Sequence, residues 1–278
     1  MLRVRDLRHN GFTLVELIVT MVITGIVALL LVNIISVPIE GFSDMKRRAE
    51  LVDIAEITLH KMSREIRQAL PNSIKITQTG TVSAIAFLHT IDGGRYAGSG
   101  SNIFTANKNL SEFLITKALS NIDDSMVKSS AYYLVIYNLG QTGADVYQGD
   151  NISKITALPL APNIKIEFDT FSFPFTSPNK RFMIVDEAVS FICDTATGEL
   201  RLYRGYNFRD DQSGGDSTPT DSSQGYLLAN KISACSFKYN PGTITHPALV
   251  TLEITISDNK AGNETISLLN QIFIENQP

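Results

Sequence analysis

The chain has no tryptophan and only two cysteines, Cys193 and Cys235, in 278 residues. Neither cysteine lies in a C-x-x-C spacing, which excludes zinc ribbons and thioredoxin-like redox motifs and leaves one disulfide or two thiols open. An excess of basic charge is lacking too: 24 Lys and Arg stand against 28 Asp and Glu, a net charge of −4. A mildly acidic chain carries no electrostatic footprint for nucleic acid, and no such partner is expected. Nothing recurs at a period of about 20–50 residues, which argues against a solenoid.

Catalytic and metal-binding spacings are equally scarce. The histidines are His9, His60, His89 and His246. None forms an H-x-x-x-H pair or stands beside a nucleophile motif, and His89 and His246 read as turn residues. The glycine-rich stretch 93–100 lacks the Lys-Ser/Thr that a phosphate loop needs. Asp210, Asp211, Asp216 and Asp221 offer oxygen ligands, but not at EF-hand spacing, so a solvated loop is preferred to a calcium site. We expect no catalytic residue, no metal and no cofactor, and hence no enzyme.

What the chain does have is a long apolar run. Between residues 12 and 39 the single charge is Glu16, and residues 17–39 are uncharged and mostly aliphatic. That is enough helix to span a hydrocarbon core of about 30 Å. A secretory signal has an apolar segment of about 7–15 residues and then a small-residue cleavage site. Here Pro38 stands where that site would fall. A carboxylate inside such a span costs about 2.5–3.5 kcal/mol, and a plain anchor gives no reason for it. Arg3, Arg5 and Arg8 precede the run, while Lys46, Arg47 and Arg48 follow it, so the positive-inside count does not orient the span.

The helical pattern continues beyond it. Val52, Ala55, Leu59, Met62, Ile66 and Ala69 form an apolar stripe, with Lys46, Glu50, Asp53, Lys61 and Arg64 on the other face. Pro38 and Gly41 predict a kink and Pro71 the end. After Pro71 the period becomes alternating, predicting strands at 73–77, 82–88, 132–137, 165–169, 188–193, 199–203, 233–239, 249–257 and 264–275. Residues 194–198 predict a hairpin turn, and 92–109 and 209–224 predict exposed mobile loops. The expected fold class is α+β, a long N-terminal helix packed on a C-terminal antiparallel β-rich head.

The segment Arg8-His9-Asn10-Gly11-Phe12-Thr13-Leu14-Val15-Glu16-Leu17 resembles the type IV prepilin cleavage and methylation motif, with its basic leader, obligatory Gly, following Phe and nearby Glu. The resemblance implies that a prepilin peptidase cuts after Gly11 and methylates the new amine on Phe12. It implies a leader at 1–11, a membrane and filament-core helix at 12–39, an amphipathic helix at 40–70 and an extracytoplasmic head at 71–278. It places the subunit in a bacterial inner membrane, single-pass with a periplasmic head, and then in a pilus at the cell surface. Glu16 would neutralise the Phe12 amine of a neighbour as the helix joins other major and minor pilins.

Residues 189–194, 198–206, 228–239 and 272–278 resemble the O-type minor pilins of the mannose-sensitive haemagglutinin (MSHA) system and the related J-type minor pseudopilins of type II secretion. The implied function is a minor pilin of an MSHA-type pilus, acting in pilus biogenesis and so in surface attachment. A J-like pseudopilin is the alternative, and a membrane-anchored periplasmic binding protein, which would keep its N-terminus, is the alternative from another class. An extracytoplasmic head meets oxidising conditions, so Cys193 and Cys235 are expected to pair, against the alternative of two buried thiols.

Overall fold

A helix of 53 residues, α1 (Leu14–Ile66), begins the computed structural model. The structure describes residues 12–98, 103–159, 164–206, 225–241, 247–258 and 264–274, with residues 32–40 described by their backbone alone. The predicted loop at 209–224, with its acidic residues, therefore lies outside the described residues, as do Gly11, His9 and His246. The chain divides into two compact units, residues 1–50 and 51–278.

In the first unit α1 is built from strong helix formers and aliphatic residues, and its backbone stays helical through Pro38 and Gly41. A proline removes one backbone hydrogen bond, and the helix continues across it. Thr20 donates its hydroxyl to the Glu16 carbonyl at 2.9 Å, and Thr24 donates to the Met21 carbonyl at 3.1 Å. The hydroxyls of Thr20 and Thr24 are thereby satisfied within the helix.

The second unit holds the last turns of α1 and the β-rich head. Leu51, Ala55, Leu59, Met62 and Ile66 are buried, while Asp53, Lys61 and Arg64 face solvent. The buried stripe starts at Leu51; Val52, the predicted first member, is half-buried. Each large apolar side chain buried in this way stabilises the fold by about 1.5–3 kcal/mol relative to exposure. The helix stops at Ile66, short of the predicted Ala69, because the chain there is already recruited by a strand. Ala69 bridges His89, and the Leu70 amide donates to the Leu88 carbonyl at 2.8 Å.

The strands are β1 (Lys75–Thr79), β2 (Val82–Arg95), β3 (Asn109–Leu114), β4 (Tyr133–Val135), β5 (Ile152–Ala157) and β6 (Lys165–Ser172). They continue as β7 (Arg181–Asp194), β8 (Glu199–Tyr206), β9 (Tyr226–Ala229), β10 (Ile232–Asn240), β11 (Ala248–Asp258) and β12 (Glu264–Ile274). A short helix, α2 (Asp124–Ser129), precedes β4. All the pairings are antiparallel. One nine-stranded sheet runs β1-β2-β7-β4-β5-β6-β3, with β8 branching from β7 and carrying β9; a second sheet runs β10-β11-β12. The branch arises because β7 pairs β4 through residues 183–185 and β8 through residues 188–194.

The main core collects the buried face of α1 with Phe87, Phe191, Leu202, Phe237, Leu252, Ile254 and Ile272, drawn from both sheets. A second core is aromatic: the Phe113 ring lies 5.9 Å from Tyr96, 5.6 Å from Phe104 and 5.8 Å from Phe182. This corrects the reading of 92–109 as an exposed loop. Residues 92–95 finish β2, and Tyr96 and Phe104 are buried. The glycines serve close packing: a Cβ on Gly93 would meet the Met183 sulfur at 2.9 Å, and one on Gly94 would meet the Phe182 ring at 2.8 Å.

Candidate functional site

The candidate site is the start of α1, and it is assembled by local hydrogen bonding. Thr13 stands just before the first helical residue, as an N-cap. Its hydroxyl oxygen accepts the Glu16 amide at 3.3 Å, and the Glu16 carboxylate accepts the Thr13 amide at 3.2 Å and the Thr13 hydroxyl at 3.1 Å. This reciprocal pair is a capping box, in which a Ser or Thr N-cap and a Glu three residues later satisfy two orphan helix donors. The carboxylate also sits at the positive end of the helix dipole. Glu16 therefore has a partner in its own chain, which gives a structural reason for a carboxylate at the start of an apolar segment. Thr13 was the residue sequence reasoning passed over, although its T-x-x-E spacing to Glu16 was visible.

Phe12 lies one residue before the cap and is exposed. From Phe12 to Leu31 every residue is exposed, and Leu14–Leu31 is long and apolar enough to cross a membrane. Large aliphatic side chains left bare along a whole helix need lipid or other helices around them.

In the head, Cys193 and Cys235 form a disulfide with Cα atoms 6.5 Å apart. The bond ties β7 of the large sheet to β10 of the small one, and Cys193 is fully buried.

A polar network marks the end of α1. The buried Glu65 carboxylate pairs with the Arg204 guanidinium of β8, which also lies 3.4 Å from Glu187 on β7. Burial holds the Glu187 carboxyl above its usual range, with Arg204 opposing that shift. His89, read from sequence as a turn residue, sits on β2 with its Nδ1 2.7 Å from the Asp186 carboxylate. These residues come from four separate segments, so no local spacing could have revealed them.

A cleft of about 460 Å³ has an apolar floor that includes Ile115, Leu119, Leu158 and Ile164, with Asp123 and Asp124 at its rim. Both carboxylates are engaged in structure: Asp123 caps α2 through the Met126 amide, and Asp124 accepts the Leu158 amide at 2.9 Å. The Ser125 hydroxyl and then the Met126 amide hold the Asp123 carboxyl below the usual carboxylate range, and the Lys128 ammonium and then the Leu158 amide do the same for Asp124.

No curated protein and no solved structure matches the chain. Residues 6–32 match the prokaryotic N-terminal methylation motif. That motif contains Gly11, Phe12, Thr13 and Glu16 and runs directly into the exposed apolar part of α1. It is a prepilin peptidase substrate signal, consistent with membrane anchoring, and with the α+β architecture it supports a type IV pilin or pseudopilin-type protein.

Proposed function

We propose that the protein is a minor pilin of an MSHA-type pilus. In this reading prepilin peptidase cleaves after Gly11 and methylates Phe12, and the subunit waits in the inner membrane with a periplasmic head. It then passes into a filament through helix packing with other pilins. Its role is assembly and surface attachment rather than catalysis. The observation that carries the reading is the methylation motif at 6–32 leading into a helix whose apolar side chains are exposed from Phe12 to Leu31. Glu16 acts by pairing with the Phe12 amine of a neighbour, which sets axial register in a low-dielectric bundle.

The MSHA assignment draws on the resemblance of residues 189–194, 198–206 and 228–239, which fall on β7 to β10. Deleting the gene and measuring surface pili beside type II secretion tests it. Loss of pili with secretion intact is the expected result. Loss of secretion with pili intact would transfer the protein to the J-like pseudopilins. A mature chain that keeps Met1 would favour the anchored binding protein.

A further inference from the structure

The pairing of β2 with β7 shifts register twice, between Leu88 and Thr90 and between Thr90 and Asp92, and at the first shift Leu88 faces Ala188 but Thr90 faces Val185. One residue of β2, His89, therefore stands opposite two residues of β7, Asp186 and Glu187. Bulges of this kind re-aim side chains, and here they gather an imidazole and two carboxylates whose donor atoms all lie within 4.8 Å of one another. All three side chains are partly buried.

The hydrogen-bonding of His89 is the second observation. Its Nδ1 lies 2.7 Å from the Asp186 carboxylate and its Nε2 lies 3.0 Å from the Gln68 side-chain oxygen. A neutral imidazole has one N–H, so it can satisfy one of these two acceptors and turns a lone pair on the other. The surroundings are also short of positive charge. Glu65 and Glu187 share the Arg204 guanidinium, with Arg64 3.6 Å from Glu65 on its outer side, and Asp186 faces His89. The place calls for a further cation.

We propose that His89 Nδ1, Asp186 and Glu187 form a binding site for a divalent transition-metal ion of the zinc class, completed by water. One nitrogen and two carboxylate donors with an open position suit zinc, whereas calcium and magnesium prefer all-oxygen sites. Gln68 then accepts the Nε2 proton, which fixes the ring and leaves Nδ1 for the ion, the usual outer partner of a metal-bound histidine. Glu187 exchanges its 3.4 Å contact with Arg204 for the ion, while Arg204 stays paired with Glu65. The ion would pin β2 to β7 beside the residues that leave α1, where the Thr90 amide already donates to the Gln68 carbonyl at 2.8 Å.

The test uses the untagged full-length protein in detergent, stripped with a chelator and titrated with Zn²⁺ by calorimetry and with Co²⁺ as an optical and paramagnetic probe. The expected result is one saturable ion whose affinity falls at least about tenfold in Glu187→Gln and in His89→Gln, and about tenfold in Gln68→Ala. Zn²⁺ should raise the thermal midpoint of the wild type and leave that of Glu187→Gln unmoved. Should the His89 variant fail to fold, selective broadening of the His89 ring signal by Co²⁺ in the wild type decides the matter. Zn²⁺ binding undiminished in folded His89→Gln would place the ion elsewhere, for instance on the exposed His60 and Glu56, and would overturn the proposal. So would the lack of saturable binding.

Discussion

Thr13 and Glu16 close the first turn of α1 on each other, each side chain accepting the other's backbone amide. The carboxylate that begins the apolar helix thus has a structural duty before any neighbour arrives. Two roles are superposed on one side chain, helix capping and the proposed charge pairing, and they are separable because a glutamine can cap but cannot carry charge.

The first prediction uses that difference. Glu16→Gln keeps the capping box and loses the charge, while Glu16→Ala loses both. Both variants should be cleaved after Gly11, since the cut lies on the far side of Phe12. Both should fall at least about tenfold in sheared pili relative to the membrane fraction, because the charge-assisted pair is the stronger interaction in a dry bundle. Wild-type incorporation of Glu16→Gln would show that capping, not charge, is what the position requires.

Processing is the second. Replacing Gly11 by a bulky residue such as Val should leave the precursor in the membrane with its leader attached. Intact-mass measurement reads the outcome. A Gly11→Val protein with the same mature N-terminus as wild type would contradict cleavage at that bond.

The third concerns the Cys193–Cys235 disulfide. It closes a loop of 42 residues, worth up to about 4 kcal/mol in the chain-entropy picture. The double Cys→Ala variant should unfold at markedly lower urea with little change in fold. Two reactive thiols in denatured, unreduced protein taken from the periplasm would remove the bond from the account.

The fourth concerns Arg204. Its loss leaves Glu65 buried without its strand-side partner, with Arg64 3.6 Å away on the surface. Breaking a fully buried pair costs roughly 3–5 kcal/mol, and with Arg204 about a third exposed we expect roughly 2 kcal/mol for Arg204→Ala. Arg204→Lys should recover only part of this, since it cannot hold two carboxylates with one planar fork. Urea denaturation of the three proteins side by side measures it, and equal midpoints would make the pair ornamental.

Legibility followed the range of the interactions. The start of α1 could be read because its motif is contiguous, and β11 because Val250, Leu252, Ile254 and Ile256 alternate with polar residues and are all fully buried. By contrast β3, β5, β9 and α2 were not foreseen. The six-residue α2 buries only Val127 and rests on the Asp123 cap, too little for a periodic signal. In β3 only Phe113 is buried, so an edge strand resembles a loop in composition. Tyr96 and Phe104 were hidden among glycines and serines, although aromatics in a polar stretch are themselves a sign of anchoring. The pairing of Glu65 with Arg204, 139 residues apart, depends on topology and was invisible locally.

The tie between β7 and β10 also governs how the head answers force. Hydrogen bonds between antiparallel strands peeled from one end break one after another, each at low load. Tension arriving through β10 to β12 instead meets a covalent link at Cys235, which hands it to Cys193 in β7, the strand with neighbours along both of its edges. β10 therefore cannot be pulled away from β7 while the bond is intact, and a reductant should remove that limit on extension.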